Sequence, residues 1–249
     1  VDPMLASKGE LPPFAYVRFK AKRNPTVSLP DEAAAILEKT THCLITHSHK
    51  WGIRALQHTD HLDRRGEAFL RERCIPVITP ERDEAHLLKA GLQVVAGLRY
   101  WHAQPLLGGR ITAIPARHGH GWIHLVMANG AGYHIELPGE PSIYISGDTV
   151  FTAEVERALT EFKPEIAIMA CGRAELDVGG PILMSMAELI RFAEKAPGCV
   201  IANHLEALNH CPVTRKELRD ALVQNGLSGV YVPRDGETIT IDGDKAETH

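Results

Sequence analysis

Residues 45–66 read ITHSHKWGIRALQHTDHLDRRG and hold four histidines and two aspartates. An apolar strand, CLIT, ends where this cluster begins. His47 and His49 are two residues apart on an extended segment, so their side chains point the same way and could bind one ion. Asp60 and His61 are adjacent at a predicted helix start, where successive side chains diverge by about 100° and therefore suit two different ions or two sides of a pair of ions.

Short apolar strands alternate with helical stretches along the rest of the chain, which is typical of the α/β class. The middle is rich in strands, because QVVAGL, RITAIPA, GWIHLVMA and GYHIEL follow one another with turn residues between them. Neighbouring strands joined by short turns favour antiparallel pairing. The whole order favours a pair of mixed sheets covered by helices over an all-parallel barrel.

Three further polar residues share one feature with His47, since each follows an apolar strand. His118 follows ITAIPAR, Asp148 follows IYISG and His204 follows VIAN. The ends of neighbouring strands can meet at one cleft, where a stiff scaffold holds ligands beside loops that stay open to substrate. Because imidazole and carboxylate groups bind zinc, manganese and iron, the pattern predicts a catalytic metal site.

Composition disfavours several other classes of protein. The formal net charge of −4 leaves no basic excess for nucleic acid. The sequence has no apolar run of membrane-spanning length and no secretory signal pattern, so a cytoplasmic enzyme that acts on a small molecule is the simplest interpretation. The five cysteines are scattered without a C-x-x-C pair, so we expect buried thiols and neither a disulfide framework nor a zinc ribbon.

The motifs T-H-S-H, D-H-L-D, G-H-G-W, S-G-D-T and N-H-L-E occur in the order found in the metallo-β-lactamase fold superfamily, which this sequence resembles. The segment HLEALNHCP most resembles the branch related to L-ascorbate-6-phosphate lactonase. The resemblance implies an αββα sandwich of two mixed β-sheets flanked by helices. It also implies that residues 1–249 are a single domain that lacks part of its first strand pair at the amino terminus.

The same resemblance implies a metal-dependent hydrolase with two divalent ions, zinc in the first place and manganese or iron otherwise. A hydroxide bridging the ions would attack a small ester-like substrate such as a lactone. Asp60, Asp148 and His210 are the residues that we expect to have catalytic roles, His210 because it follows His204 by six residues. The implied ligands are His47, His49 and His118 for the first ion, Asp60, His61 and His204 for the second, and Asp148 as a bridge.

The first motif departs from the family pattern H-x-H-x-D-H, because ten residues separate His49 from Asp60. In one interpretation the ligands are kept and Lys50 to Thr59 bulge outward as an insertion, which makes His58 a loop residue that could touch substrate. In the other, the compact spacing is kept by His58, Asp60 and His61, and Leu56 takes the place of the first ligand. We favour the insertion because His47 stands at a strand end and leucine cannot coordinate a metal.

Other residues near the motifs have both a functional and a structural interpretation. His120 and His210 could support the ligands or donate protons, or could be ordinary polar residues. Arg173 and Asp177 could orient substrate, or could belong to a plain connection. Two other functions stay open: a nuclease of the same superfamily, and a metal-binding protein without catalysis whose first motif is interrupted.

Overall fold

Two β-sheets lie face to face between two layers of helices. The computed structural model describes residues 1–50, 53–242 and 245–248. The helices are α1 (Ala33–Glu38), α2 (Arg64–Glu72), α3 (Glu81–Lys89), α4 (Ile123–Val126), α5 (Ala153–Glu161), α6 (Met186–Lys195) and α7 (Arg215–Gln224). The strands are β1 (Cys43–Leu44), β2 (His49–Lys50), β3 (Ile53–Gln57), β4 (Val77–Pro80), β5 (Val94–Leu98), β6 (Ala103–Leu106), β7 (Gly109–Pro115), β8 (Ala131–Glu136), β9 (Ile143–Ile145), β10 (Ile166–Ala170), β11 (Cys199–Asn203), β12 (Val230–Tyr231), β13 (Ile239–Asp242) and β14 (Lys245–Thr248).

The larger sheet has seven strands in the order β12-β11-β10-β9-β8-β7-β6. Its strands β6 to β9 pair antiparallel, as the strand-rich middle of the sequence predicts, and β9 to β12 pair parallel. The smaller sheet, β1-β4-β5, pairs parallel in the described residues. The predicted α/β fold with sheets between flanking helices is confirmed, and the mixed strand directions occur in the larger sheet.

The buried apolar residues form separate layers that explain the sandwich. Leu44 and Ile78 of the smaller sheet pack against Ile111 and Tyr133 of the larger one. On the outer face of the smaller sheet, apolar residues such as Leu70 and Leu87 cover β1 and β4 with α2 and α3. The outer face of the larger sheet is covered by α5, α6 and α7. Burial of each leucine or isoleucine side chain contributes about 1.5–3 kcal/mol to the stability of the fold. Each sheet is therefore stabilised both by the facing sheet and by the helices on its outer face.

Two local predictions were wrong. The apolar segment GWIHLVMA forms the short helix α4 and not a strand, with Ile123 and Met127 buried and Trp122 and Val126 exposed. Burial at spacing i, i+4 is helical, and an unbroken apolar run does not reveal its period in the sequence. The helix expected from Asp60 begins at Arg64, because the Asp63 side chain accepts the Gly66 N–H and caps it.

The described part of the chain contains no helix with the length and apolar character needed to cross a bilayer.

Candidate metal centre

The ten residues that interrupt the first motif contain most of a β-hairpin. Strands β2 and β3 pair antiparallel, with His49 opposite Gln57. The backbone N–H of His58 then donates to the Ser48 carbonyl at 2.8 Å and closes the hairpin base. Residues 51 and 52 of the insertion lie outside the described residues. The hairpin therefore returns His58 to the position beside His47, and Nε2 of His47 lies 3.2 Å from Nδ1 of His58.

The polar residues at strand ends meet this pair. Strands β7, β9 and β11 run in the same direction, so the residues that follow them lie at one edge of the larger sheet. Nε2 of His61, His118 and His204 lie 3.1, 3.7 and 3.6 Å from Oδ2 of Asp148. Three groups have ligand atoms within 4.8 Å of one another: His47, His58 and His118; His47, His61 and Asp148; and Asp60, His61 and His204.

Backbone conformation aims Asp148 into this cluster. Gly147, which precedes it, has a φ of 61°, a conformation in which glycine is favoured over other residues. A Cβ at Gly147 would also lie 2.6 Å from the Ala131 carbonyl oxygen. Gly147 can therefore lie against β8, and direct Asp148 into the cluster, because it has no side chain.

Hydrogen bonds at the outer nitrogens orient two imidazole rings. The Nδ1–H of His118 donates to the Ile182 carbonyl at 2.7 Å, so its Nε2 carries the lone pair that faces the cluster. The Nδ1–H of His61 donates to Oδ2 of Asp2 at 2.9 Å. Among the described residues, Nε2 of His204 is buried without a hydrogen-bond partner. A buried nitrogen without a hydrogen-bond partner, close to a carboxylate, suits a bound cation.

Burial sets the charge state of the imidazoles. Burial first, and then the neighbouring His61 and His58, lower the pKa of His47 well below its ordinary value. Burial lowers the pKa of His58 to about 3 and that of His210 to about 4. These rings are neutral near pH 7, which is the form that binds metals.

The carboxylates in the cluster have the opposite effect on one ring. Burial opposes protonation of His61, but Asp148, Asp2 and Asp60 together raise its pKa well above the ordinary value. Burial likewise opposes ionisation of Asp148, yet His204 and His61 hold the pKa of that carboxyl well below its usual range. The centre thus places the ionised Asp148 carboxylate close to the neutral rings of His47 and His58, an electrostatic setting that suits a divalent cation.

The structure does not bring His49 into this cluster, contrary to the favoured sequence interpretation. His49 is the first residue of β2, a strand separate from β1, so His47 and His49 do not share one continuous strand. Its Nε2 lies 2.7 Å from Nε2 of His86 on α3. His58 occupies the position expected of His49, and the compact interpretation had identified it from its spacing to Asp60.

The remaining candidates lie in different surroundings. His210 is buried, and its Nε2 is 4.0 Å from Oδ2 of Asp60. His120 is exposed and bonds Glu188 of α6 at 2.7 Å. Arg173 forms an ion pair with Glu175 at 2.8 Å, and Asp177 accepts backbone N–H groups of residues 16–18. The described contacts of His120, Arg173 and Asp177 are therefore with protein groups away from the cluster.

A cavity of about 250 Å³ opens beside the cluster. His58, Asp60, His118 and His210 form its polar side together with Gln57 and Thr59. Its apolar side consists of Phe14, Val126, Met127, Leu176 and Ile182. Sequence reasoning missed these wall residues and Asp2, because their role depends on tertiary contacts across more than 50 positions and no local pattern marks them.

Comparison with known proteins supports the fold. A family model described as a beta-lactamase superfamily domain matches residues 19–201. The UPF0173 protein YddR of Bacillus subtilis (strain 168) is 29% identical over 245 residues, covering 96% of this chain and 91% of that protein.

Two solved structures are similar over nearly the whole chain. The isothiocyanate hydrolase from Delia radicum gut bacteria has a TM-score of 0.83 and 28% identity, covering 97% of this chain and 91% of that one. A possible metal-dependent hydrolase from Veillonella parvula DSM 2008 has a TM-score of 0.83 and 26% identity, with the same coverage of 97% and 91%. Since the family model spans most of the sequence, this chain belongs to the beta-lactamase superfamily domain family and thus to the metallo-β-lactamase superfamily of metal-dependent hydrolases.

Proposed function

We propose that this protein is a hydrolase that binds two divalent ions, with Asp148 shared between them. The observation that carries the proposal is the position of Asp148 Oδ2, which lies within 3.7 Å of the Nε2 atoms of His61, His118 and His204. Before an ion binds at His61, this residue must release the proton that the surrounding carboxylates favour. The proposed ligands are His47, His58 and His118 for the first ion and Asp60, His61 and His204 for the second.

The donor set fits such ions. It combines imidazole nitrogen with carboxylate oxygen, which zinc prefers and which manganese and iron also accept, so we propose zinc. When bound, the two ions supply Lewis-acid polarisation of the substrate and lower the pKa of a water towards neutrality. Asp2 and the Ile182 carbonyl hold His61 and His118 in the ring orientation that the ions need.

His210 is the residue that we propose to contact the reacting substrate from the protein side. It lines the cavity and lies 4.0 Å from Asp60. Because burial lowers its pKa to about 4, the ring is neutral at pH 7 and has one N–H to donate. Phe14 packs edge-on against the ring at 5.1 Å and fixes its direction. A neutral donor here would bond an oxygen or nitrogen on which negative charge develops.

The cavity wall indicates the class of substrate. Within the described residues that line it, there is no lysine or arginine, and five side chains are apolar. Such a wall favours a small uncharged substrate with an electrophilic carbon. An ester or lactone fits this description, and so does the isothiocyanate named for one structural neighbour. The acidic net charge and the absence of lysine and arginine from the described cavity lining both disfavour a nuclease.

A substrate panel tests the proposed function. Metal-loaded protein would be assayed on an aryl ester, a lactone, an isothiocyanate and a phosphodiester, with and without chelator. We expect hydrolysis of at least one of the three uncharged substrates, abolished by chelation and restored by zinc. Asp148→Asn should lose about three orders of magnitude in kcat/KM, since an ion site contributes several kcal/mol. Asp31→Asn, at an exposed aspartate outside the cavity wall, is the matched control. Hydrolysis that survives complete removal of metal would contradict the proposal.

A further inference from the structure

Five exposed apolar side chains surround the mouth of the cavity. The exposed fractions are 59% for Tyr16, 88% for Val17, 57% for Trp122, 52% for Val126 and 68% for Val178. We call these five residues the apolar rim. A contiguous exposed apolar surface of this kind is rare on a folded protein unless it binds something.

Contacts between the three chain segments place the rim around one opening. The Asp177 carboxylate accepts the backbone N–H groups of Tyr16 and Val17 at 2.9 and 2.8 Å, so these residues lie beside Val178. Ile123 of α4 packs against Gly179, where an added Cβ would be 3.1 Å from Ile123 Cδ1. Segments 14–18, 122–127 and 176–179 therefore meet at the same place.

Each of these segments also contributes to the cavity wall. Phe14 precedes Tyr16, Leu176 precedes Val178, and Val126 belongs to both wall and rim. The apolar wall is thus continuous with the apolar rim, and one ligand can contact both. A ligand whose reacting group lies beside His58 and Asp60 would leave the cavity across this surface.

Charges near the rim are engaged by other protein groups. Arg18 bonds Glu175, which also pairs with Arg173 at 2.8 Å. Asp177 accepts three backbone N–H groups, which lower the pKa of its carboxyl. This arrangement favours an uncharged occupant over an anionic or cationic one.

The volume of the cavity is also small for a ligand-binding site. Its volume of about 250 Å³ is below the range of roughly 300–1,000 Å³ that is usual for ligand sites. We propose that the substrate carries an uncharged apolar chain or ring that extends out of the cavity and lies on the rim, so that Trp122 and Val178 determine preference for chain length. This inference rests on the proposed hydrolase function and adds the shape of its substrate.

The decisive measurement compares aryl esters of increasing acyl length, from butyrate to octanoate, below their critical micelle concentrations. For the metal-loaded wild type we expect kcat/KM to rise about tenfold over the series, since a fully buried methylene adds roughly fourfold and the open rim buries each of the four added methylenes only in part. The double variant Trp122→Ser, Val178→Ser should lose most of this ratio. The matched control replaces two exposed apolar residues elsewhere, Leu88→Ser with Val223→Ser, and should keep it.

Binding of 1-octanol and 1-butanol separates this inference from the proposed function, because it needs no turnover. Octanol should change the tryptophan emission of the wild type at lower concentration than butanol, and Trp122→Phe should abolish the change. If no ester is hydrolysed but octanol binds in this way, the proposed ester hydrolysis is wrong, whereas binding of an apolar chain at the rim is supported. Hydrolysis without any dependence on chain length would overturn the inference.

Two other occupants would also overturn it. A wild type that sediments as a dimer, with the double variant monomeric and no chain-length preference in either, would assign the rim to a second copy. Binding to phosphatidylcholine vesicles that the double variant loses, again without chain-length preference, would assign it to a bilayer. Circular dichroism melting curves check that both double variants fold, as expected for substitutions at exposed positions.

Discussion

Two histidine pairs begin on either side of Ser48 and have different surroundings. In the first pair, ring nitrogens of His47 and His58 are 3.2 Å apart. In the second, ring nitrogens of His49 and His86 are 2.7 Å apart. Both pairs start in the same T-H-S-H motif, and distance alone would rank the second pair as the better metal site.

The residues around each pair nevertheless favour the first pair as the metal site. The first pair lies with His118 in one group of ligand atoms, and the carboxylates of Asp60 and Asp148 act on it. The backbone carbonyl of His49 accepts from the Arg82 guanidinium at 3.1 Å, and the Asp83 carboxylate nearby is already engaged by Arg82 and by the Ser48 N–H. Neither His49 nor His86 belongs to the three groups of converging ligand atoms found in the described residues. Two close imidazoles therefore make a hydrogen bond, whereas imidazoles converging with carboxylates make a site for a cation.

The largest expected effect separates the pairs directly. His58→Ala should reduce bound metal from two equivalents to one and lower kcat/KM by about three orders of magnitude, because it removes a proposed ligand. His49→Ala should retain both equivalents. Metal content by mass spectrometry, after loading and desalting, checks both variants.

The opposite metal contents in these two variants would contradict the assignment of metal to the first pair. Metal retained in His58→Ala and lost from His49→Ala would restore the sequence interpretation in which His49 is a ligand. His102→Ala, an exposed histidine distant in sequence from both pairs, controls for general loss of imidazole.

Removal of metal should have the next largest effect, this time on stability. An ion present at 1,000 times its Kd stabilises the folded chain by about 4 kcal/mol. Chelation should therefore lower Tm by roughly 8–16 °C for each site, since 1 kcal/mol corresponds to about 2–4 °C at this chain length. His49→Ala should show the same drop as the wild type, and His58→Ala a smaller one. A reduced drop in His49→Ala would place metal at the second pair.

The sequence alone predicted the half of the centre that depends on strand ends. His118, Asp148 and His204 each follow a strand, and the parallel directions of β7, β9 and β11 bring them together whatever the loops do. The layered α/β arrangement could likewise be predicted from the alternation of strands and helices along the sequence. Hydrophobic periodicity encodes both features locally.

The hairpin half could not be predicted in the same way. The gap between His49 and Asp60 allows either histidine to be the ligand, and the choice depends on one closing hydrogen bond, from His58 N–H to the Ser48 carbonyl. Asp2 reaches His61 across 59 positions, which is a tertiary contact without a local signal. The wall residue Val126 was placed on a strand, because an apolar run fits both a buried strand and a short helix.

A moderate effect is expected from the residue that fastens the hairpin base. The Gln57 amide donates to the Leu62 carbonyl at 2.6 Å and to Glu67 Oε1 at 3.0 Å, across the turn that carries His58. Gln57→Leu should cost about 2 kcal/mol, because one bond is to a charged group, and weaken metal binding about tenfold. Metal titration and thermal melts measure both, with the exposed Gln224→Leu as matched control. Unchanged metal affinity would show that the hairpin does not position His58.

The smallest effect is expected at the second pair. His86→Ala removes the hydrogen bond to His49 and the contact between two rings whose centroids are 3.4 Å apart. The loss should be about 1 kcal/mol, or roughly 2–4 °C in Tm, because His86 is only half-buried on α3. Metal content and kcat/KM should equal those of the wild type, since the pair makes no described contact with Asp60 or Asp148. A loss of metal in His86→Ala would mean that the second pair also binds an ion. The presence of carboxylates would then not explain why one histidine pair binds metal and the other does not.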